Sequence, residues 1–257
     1  MLFRSLLLGF ERFVNAFHLH HLWQEDFKAF PTLGIHVDEM LRQFAGKKQD
    51  IVQNGLMLFI IQGHPLEVAI KLAAFYGLRR EEIIGLKWTA IDFENNTLTI
   101  QHTVTECNLD GKHIEVASDT AKTDSSLRTM PLVTNFREML LAKKEKQEHY
   151  RKLCGRSYCK EYLDYIFVNE MGERWKPRYL SDGFKRILEQ NGLRRIRFHD
   201  LRHTCASLLL ANNVPMKKIQ EWLGHSDFST TANIYAHLDF QSKISSAEAM
   251  LTGLDMG

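Results

Sequence analysis

Apolar residues recur every three or four positions along most of this chain, while one internal stretch alternates instead. The first spacing gathers side chains on one helix face, the second on one face of a strand. Leu2, Phe3, Leu6, Leu7, Phe10, Phe13, Val14 and Phe17 fit an amphipathic helix, with no sign of what covers it. Its run Leu6-Leu7-Leu8-Gly9-Phe10 stops at Glu11 and Arg12, too short to span a membrane and a poor signal peptide. Export is not expected. From Val37 to Phe75 the spacing (Val37, Met40, Leu41, Phe44, then Val68, Ile70, Leu72, Ala73, Phe75, Tyr76) predicts helices broken near Gly63-His64-Pro65. A short helix from about Glu81 to Leu86 follows, starting just after Arg79.

Alternation then takes over. Thr97-Leu98-Thr99-Ile100-Gln101 is β-branched and follows an Asn95-Asn96 turn. Asp110-Gly111 is a hairpin signal, with Lys112 to Ala117 as the returning strand and Arg128 to Leu132 as a third strand after a polar loop. That loop carries Lys122. The remainder reads as helix: about Thr134 to Lys152, Leu180 to Gln190, Asp200 to Ala211, Pro215 to Leu223 and Ser229 to Ala236. Pro215 suits a first helical position and Gly224 a helix stop, which brackets that segment by backbone chemistry. The expected class is α+β, mainly helical, with one small three-stranded antiparallel sheet.

Composition narrows this little. At 257 residues, with 44% apolar and 25% charged residues, the chain suits one large soluble domain or two small ones. A net charge of +2 does not announce a nucleic-acid partner by itself. Local charge is more telling, because residues 176 to 202 carry eight Lys/Arg against three acids, a net of +5. Such a field attracts phosphates, although a basic face with no partner would read the same. The four cysteines (107, 154, 159, 205) fit neither a disulfide framework nor paired zinc spacing, so reduced thiols in a cytoplasmic protein are expected, with Cys205 in the core. His18, His20 and His21 lack an acidic or Cys partner at ligand spacing, so no metal is expected.

Candidate chemistry is concentrated toward the C-terminus. His199-Asp200-Leu201-Arg202-His203 is followed by Leu223-Gly224-His225 and then by Thr230-Thr231-Ala232-Asn233-Ile234-Tyr235-Ala236-His237. Upstream lie Gly77-Leu78-Arg79-Arg80-Glu81-Glu82 and Lys122-Thr123. A lone His-x-x-Arg means little, but these elements in this order resemble the catalytic signature of the tyrosine recombinases, the phage-integrase family. The resemblance runs from about Val37 to about Leu238. It implies the family's catalytic domain over residues 35–257, acting on double-stranded DNA as a homo-tetramer on paired sites, without metal, cofactor or ATP. The setting would be bacterial or phage cytoplasm, at the nucleoid.

Phosphodiester exchange needs charge stabilised on the non-bridging oxygens and a proton for the leaving oxygen. Guanidinium groups stay charged and donate paired hydrogen bonds, which makes Arg79 and Arg202 the candidates for the first task. Preorganised donors of this kind are worth roughly 3 to 4 kcal/mol each. By resemblance, Lys122 would protonate the departing 5′ oxygen, a general-acid task worth on the order of 10² to 10⁴ in rate. Tyr235 would be the nucleophile, its phenol helped to ionise by surrounding cations, and would form a 3′-phosphotyrosine. His199 would assist proton transfer and His225 would hydrogen-bond the phosphate. Glu82 would orient Arg79, unless it is an exposed helix-start carboxylate, and His203 would stand near the site.

No phosphate-binding Gly-x-x-x-x-Gly-Lys-Ser/Thr loop, Gly-x-Ser-x-Gly elbow or His-Glu-x-x-His helix competes with this reading. Two rivals share its residues: a relaxing topoisomerase of tyrosine type, and a DNA-binding remnant without activity. The family usually carries a helical domain before the catalytic one, so residues 1–34 read as a possible remnant of it. A fragment, a decayed gene product and an isolated catalytic domain all stay open. Ser242 to Leu254, with Ile244, Ala247, Met250, Leu251 and Leu254, would form a helix that docks on a neighbouring subunit or folds back on its own domain.

Overall fold

The structure is a computed structural model, and it describes residues 57–58, 60–119, 127–212 and 214–225. The helices expected near residues 2–17, 37–44, 229–236 and 242–254 lie outside the described residues, as do Lys122, Tyr235, the histidines at 18, 20 and 21, and the boundary near residue 34.

Helix α1 (Glu67–Tyr76) is the hub of the core, with Ala69, Ile70, Leu72, Ala73, Ala74 and Tyr76 all buried. A helix apolar on so much of its circumference must be enclosed on several sides. It packs against α2 (Arg80–Gly85), α3 (Thr134–Cys154) and α5 (Asp200–Ala211). Helix α4 (Pro177–Gln190) buries Leu180, Phe184, Ile187 and Leu188 beside α2, and α6 (Met216–Leu223) buries Ile219 and Leu223 against α5. An aromatic group fastens α1 to α3 and α6: Tyr76 stacks on Trp222 at 6.0 Å, and Phe75 meets Phe136 at 5.0 Å. The Tyr76 hydroxyl also donates to the Pro131 carbonyl at 2.9 Å, so that core tyrosine is satisfied. Among the described residues, no helix is long and apolar enough to cross a membrane.

The mainly helical α+β class is borne out, but the sheet is divided differently from the sequence reading. A three-stranded antiparallel sheet runs β1 (Ile91–Asp92), β2 (Thr97–Ile100), β5 (Arg128–Pro131). The returning strand β4 (Lys112–Ser118) does not join it; it pairs only with β3 (Thr103–Leu109), as a separate hairpin. The cause is a break at Gln101-His102. His102 turns inward, its Nδ1 bonded to Asp119 at 2.5 Å and its Nε2 to the Tyr165 hydroxyl at 2.9 Å. Gly85 packs directly beneath, where a Cβ would stand 2.5 Å from the His102 carbonyl oxygen. Of β3 only Val104 is buried, so the hairpin leaves the core at once. Its tip is the expected Asp110-Gly111, at φ +50° and +77°, the positive pair a two-residue type I′ turn requires.

Helix bounds follow the sequence reading with two corrections: Pro215 is not the first helical residue but the N-cap, so α6 begins at Met216. Helix α4 starts at Pro177 rather than Leu180, because proline at the first position needs no hydrogen bond from its nitrogen. Cys205 is in the core as expected, its thiol donating to the Phe75 carbonyl, and burial pushes it up to about 12. It is inert at neutral pH.

Gly77, which ends α1, adopts φ +65°. A Cβ there would meet Leu223 Cδ2 at 2.4 Å and Arg202 Cγ at 3.6 Å. Gly77→Ala therefore combines a left-handed backbone penalty with overpacking, roughly 2 to 4 kcal/mol together. The expected result is a thermal midpoint lower by about 5 to 12 °C. An unchanged midpoint in a calorimetric scan would refute the close packing of α1 on α6.

Candidate active site

Arg79 stands at the N-cap of α2, in extended backbone, and its amide donates to Glu82 Oε2 at 2.9 Å. That contact closes the first turn and directs the arginine side chain back over it. Arg79 Nη1 donates to Glu82 Oε1 at 2.7 Å and Nη2 to the Gly224 carbonyl at 3.1 Å. Arg202, on α5, is 2% exposed. Its Nη1 donates to the Gly77 carbonyl and its Nη2 to the Leu223 carbonyl, both at 2.6 Å, while Nε donates to His225 Nε2 at 3.2 Å. Four expected residues, Arg79, Glu82, Arg202 and His225, thus meet although 146 positions separate Arg79 from His225 (225 − 79).

Glu82 is 2% exposed, which settles its reading against an exposed helix-start carboxylate. Burial by itself would raise its pKa, yet the charge and hydrogen bonds of Arg128, then Arg79 and Arg202, lower it to about 2. A carboxylate held below its ordinary range contributes stability that is fully present above about pH 4.5 and is lost as pH falls toward about 2. That contribution is on the order of 3 kcal/mol. The thermal midpoint should therefore fall steeply below pH 4.5, and Glu82→Gln should be less stable at pH 7 with a flatter acid dependence. Parallel acid curves for the two proteins would contradict this account.

Arg128 is the member of the cluster that sequence reading missed. It opens β5, is 9% exposed, and donates Nη1 and Nη2 to the two Glu82 oxygens at 3.1 and 2.9 Å. Its Nε donates to the Trp222 carbonyl at 3.1 Å. The signal was present in the alternation, since Arg128 shares the inward face of the strand with Met130. An inward arginine demands a buried acid, and Glu82 is that acid.

The last carbonyls around the end of α6 form one acceptor row: Trp222 takes Arg128, Leu223 takes Arg202, and Gly224 takes Arg79. Gly224 makes the row possible with φ +67°, turning the chain while its own amide closes on Gln220 at 2.9 Å. The negative end of the helix faces the three guanidinium groups.

The histidines are held neutral. Burial first, then Arg202 and Arg79, lower His225 to about 4. Its Nε2 accepts from Arg202, so its own proton sits on Nδ1. His199 precedes α5 and His203 lies one turn on, with ring centroids 5.1 Å apart. Burial, then His203, Arg202 and Arg79, lower His199; burial and the arginines Arg197 and Arg202 also lower His203 against the pull of Asp200. Burial followed by Arg79 brings Arg202 to about 9, which still leaves it charged at neutral pH. The arrangement is a net cationic cluster with imidazole groups at its edge, the charge and donor types that suit an anion such as a phosphate. Seven of the eight basic residues between 176 and 202 are exposed or half-exposed around α4 and the approach to α5; only Arg202 is buried.

The phage integrase family model matches residues 56–242 of the chain. A tyrosine recombinase XerC-like protein of Caldanaerobacter subterraneus subsp. tengcongensis is 33% identical over 195 residues, 74% of this chain and 50% of that protein. The integrase of Staphylococcus phage L54a is 26% identical over 178 residues, 66% of this chain and 47% of its own length. The chain thus spans about half the length of these curated relatives. In fold it is similar to the Tn1549 transposon integrase, with a TM-score of 0.62 at 20% identity, covering 88% of this chain and 68% of that one. With the family model matched across the arginine and histidine positions described above, this chain belongs to the phage integrase family, the tyrosine recombinases.

Proposed function

We propose that the chain is the catalytic part of a site-specific recombinase that cleaves and rejoins duplex DNA through a 3′-phosphotyrosine. The observation that carries this reading is the clustering of Arg79, Arg202 and His225 on the α6 terminus, ten positions before Tyr235 (235 − 225). Each arginine Nη keeps a second N–H for a phosphate oxygen beyond its structural bond. The Tn1549 integrase of similar fold was solved with circular intermediate DNA, which supports DNA as the partner.

In this mechanism the Tyr235 oxygen attacks the scissile phosphorus while Arg79, Arg202 and the His225 Nδ1–H stabilise the charge on its oxygens. His199 accepts the phenol proton, assisted by its neutral state. The bond to the 5′ oxygen breaks, and Lys122 supplies that oxygen with a proton. A 5′ hydroxyl from a second duplex then displaces the tyrosine, conserving bond energy without ATP. Exchange between two duplexes requires four subunits, so a homo-tetramer on paired sites completes the reading.

The test is a suicide duplex whose nick releases a short fragment after cleavage and prevents religation. The expected product is a denaturant-resistant, protease-sensitive adduct on the 3′ phosphate. Free hydrolysed ends, or attachment to a 5′ phosphate, would sink the reading.

A further inference from the structure

We infer that Arg128 is a positioning residue for strand cleavage, whose task is to occupy Glu82 so that Arg79 stays available to the phosphate. The inference rests on the proposed role of Arg79 and deepens it. Each Glu82 oxygen receives one bond from Arg128 and one from Arg79: Oε1 takes Arg128 Nη1 and Arg79 Nη1, while Oε2 takes Arg128 Nη2 and the Arg79 amide. The carboxylate is therefore shared between two guanidinium groups, with the planar fork of Arg128 spanning both of its oxygens. Arg128 also reaches the Trp222 carbonyl, so the same side chain ties β5 to α2 and to the α6 terminus that carries the Arg79 and Arg202 acceptors.

The charge count gives this geometry its consequence. Arg79, Arg128 and Arg202 bring three positive charges around the single negative charge of Glu82. With Arg128 in place, its charge is matched by Glu82 and two arginines remain for an incoming anion. Without it, a buried carboxylate would be left with Arg79 alone of the two guanidinium groups now bonded to it. Arg79, whose side chain is 32% exposed, would be drawn fully onto Glu82 and its charge spent there. Binding of Arg79 to Glu82 and to phosphate would then compete. Lysine cannot replace the arginine, because one ammonium group does not span two carboxylate oxygens and a carbonyl at fixed angles. The backbone of Arg128 is meanwhile fixed by its pairing with Ile100, so the side chain enters the cluster from a rigid strand.

The experiment compares two suicide duplexes, one with an ordinary scissile phosphate and one with a methylphosphonate, in which a methyl group replaces a non-bridging oxygen and removes the charge Arg79 would stabilise. Arg128→Met is expected to form adduct roughly 100-fold more slowly than the unsubstituted chain on phosphate. On methylphosphonate it is expected to stay within about threefold of it, since no anion needs Arg79. Arg128→Lys keeps a charge near Glu82 and carries the test should the methionine variant fail to fold; its deficit is expected to be about tenfold on phosphate and absent on methylphosphonate. A deficit equal on both substrates, or no deficit in a folded variant, overturns the role of Arg128 while leaving the phosphotyrosine reading intact. Absence of adduct from the unsubstituted chain on both substrates overturns both.

Discussion

Tyr235→Phe is expected to bind the suicide duplex as tightly as the unsubstituted chain and to yield no covalent adduct. The phenol oxygen is the only atom removed, and in the proposed mechanism it forms the bond to phosphorus. No water-mediated route gives the same product, so the loss should reach the detection floor, on the order of 10⁶ in rate. DNA affinity should change little, because in the proposed reading it would come from the exposed basic residues around α4 and from the arginine cluster, which this substitution leaves in place. Tyr179→Phe serves as the control: that tyrosine is 42% exposed on α4 and should cleave normally. An adduct formed by Tyr235→Phe would remove Tyr235 from the mechanism, while loss of adduct from both variants would point to a general effect of the assay.

The second large effect is expected for Arg202→Lys, in stability and rate together. Arg202 is 2% exposed, and its three nitrogens point in three directions, to Gly77, Leu223 and His225. A lysine ammonium can satisfy one or two of those acceptors and leaves the others buried without a donor. Each such loss costs about 1 to 3 kcal/mol, so a total of roughly 3 to 5 kcal/mol follows. Adduct formation should slow by about 10² to 10³ as a phosphate donor pair disappears. Thermal unfolding and single-turnover cleavage at a temperature where the variant is folded separate the two effects. A variant as stable as the parent, cleaving within threefold of it, would contradict the double role.

These two sites were legible to different degrees. The helix carrying Arg202 was read with both bounds correct, Asp200–Ala211, because its apolar spacing is regular. The Asp110-Gly111 turn was legible because so few residues accept positive φ at both positions. Strand partnership was not. The alternation of β2 and β5 says which face each buries, but nothing local says that His102 turns into the core and detaches the hairpin, leaving Ile114 and Val116 of β4 exposed. In the site, residue types and order identified Arg79, Arg202 and His225. Arg128 escaped because its strand reads as ordinary alternation, and its meaning depends on an acid 46 positions earlier. Glu82 was ambiguous for the same reason: the sequence places it in the first turn of a helix, and only packing decides that the turn is inside.

The acceptor row at the end of α6 also decides when the arginine cluster can assemble. Its three carbonyls, at 222, 223 and 224, all follow in the chain the arginines at 79, 128 and 202 that donate to them. Until residues 216–224 wind into place, Glu82 can draw Arg79 and Arg128 together but the carbonyl that holds Arg202 beside them is missing, so a polypeptide ending earlier carries the cationic side chains without the full cluster.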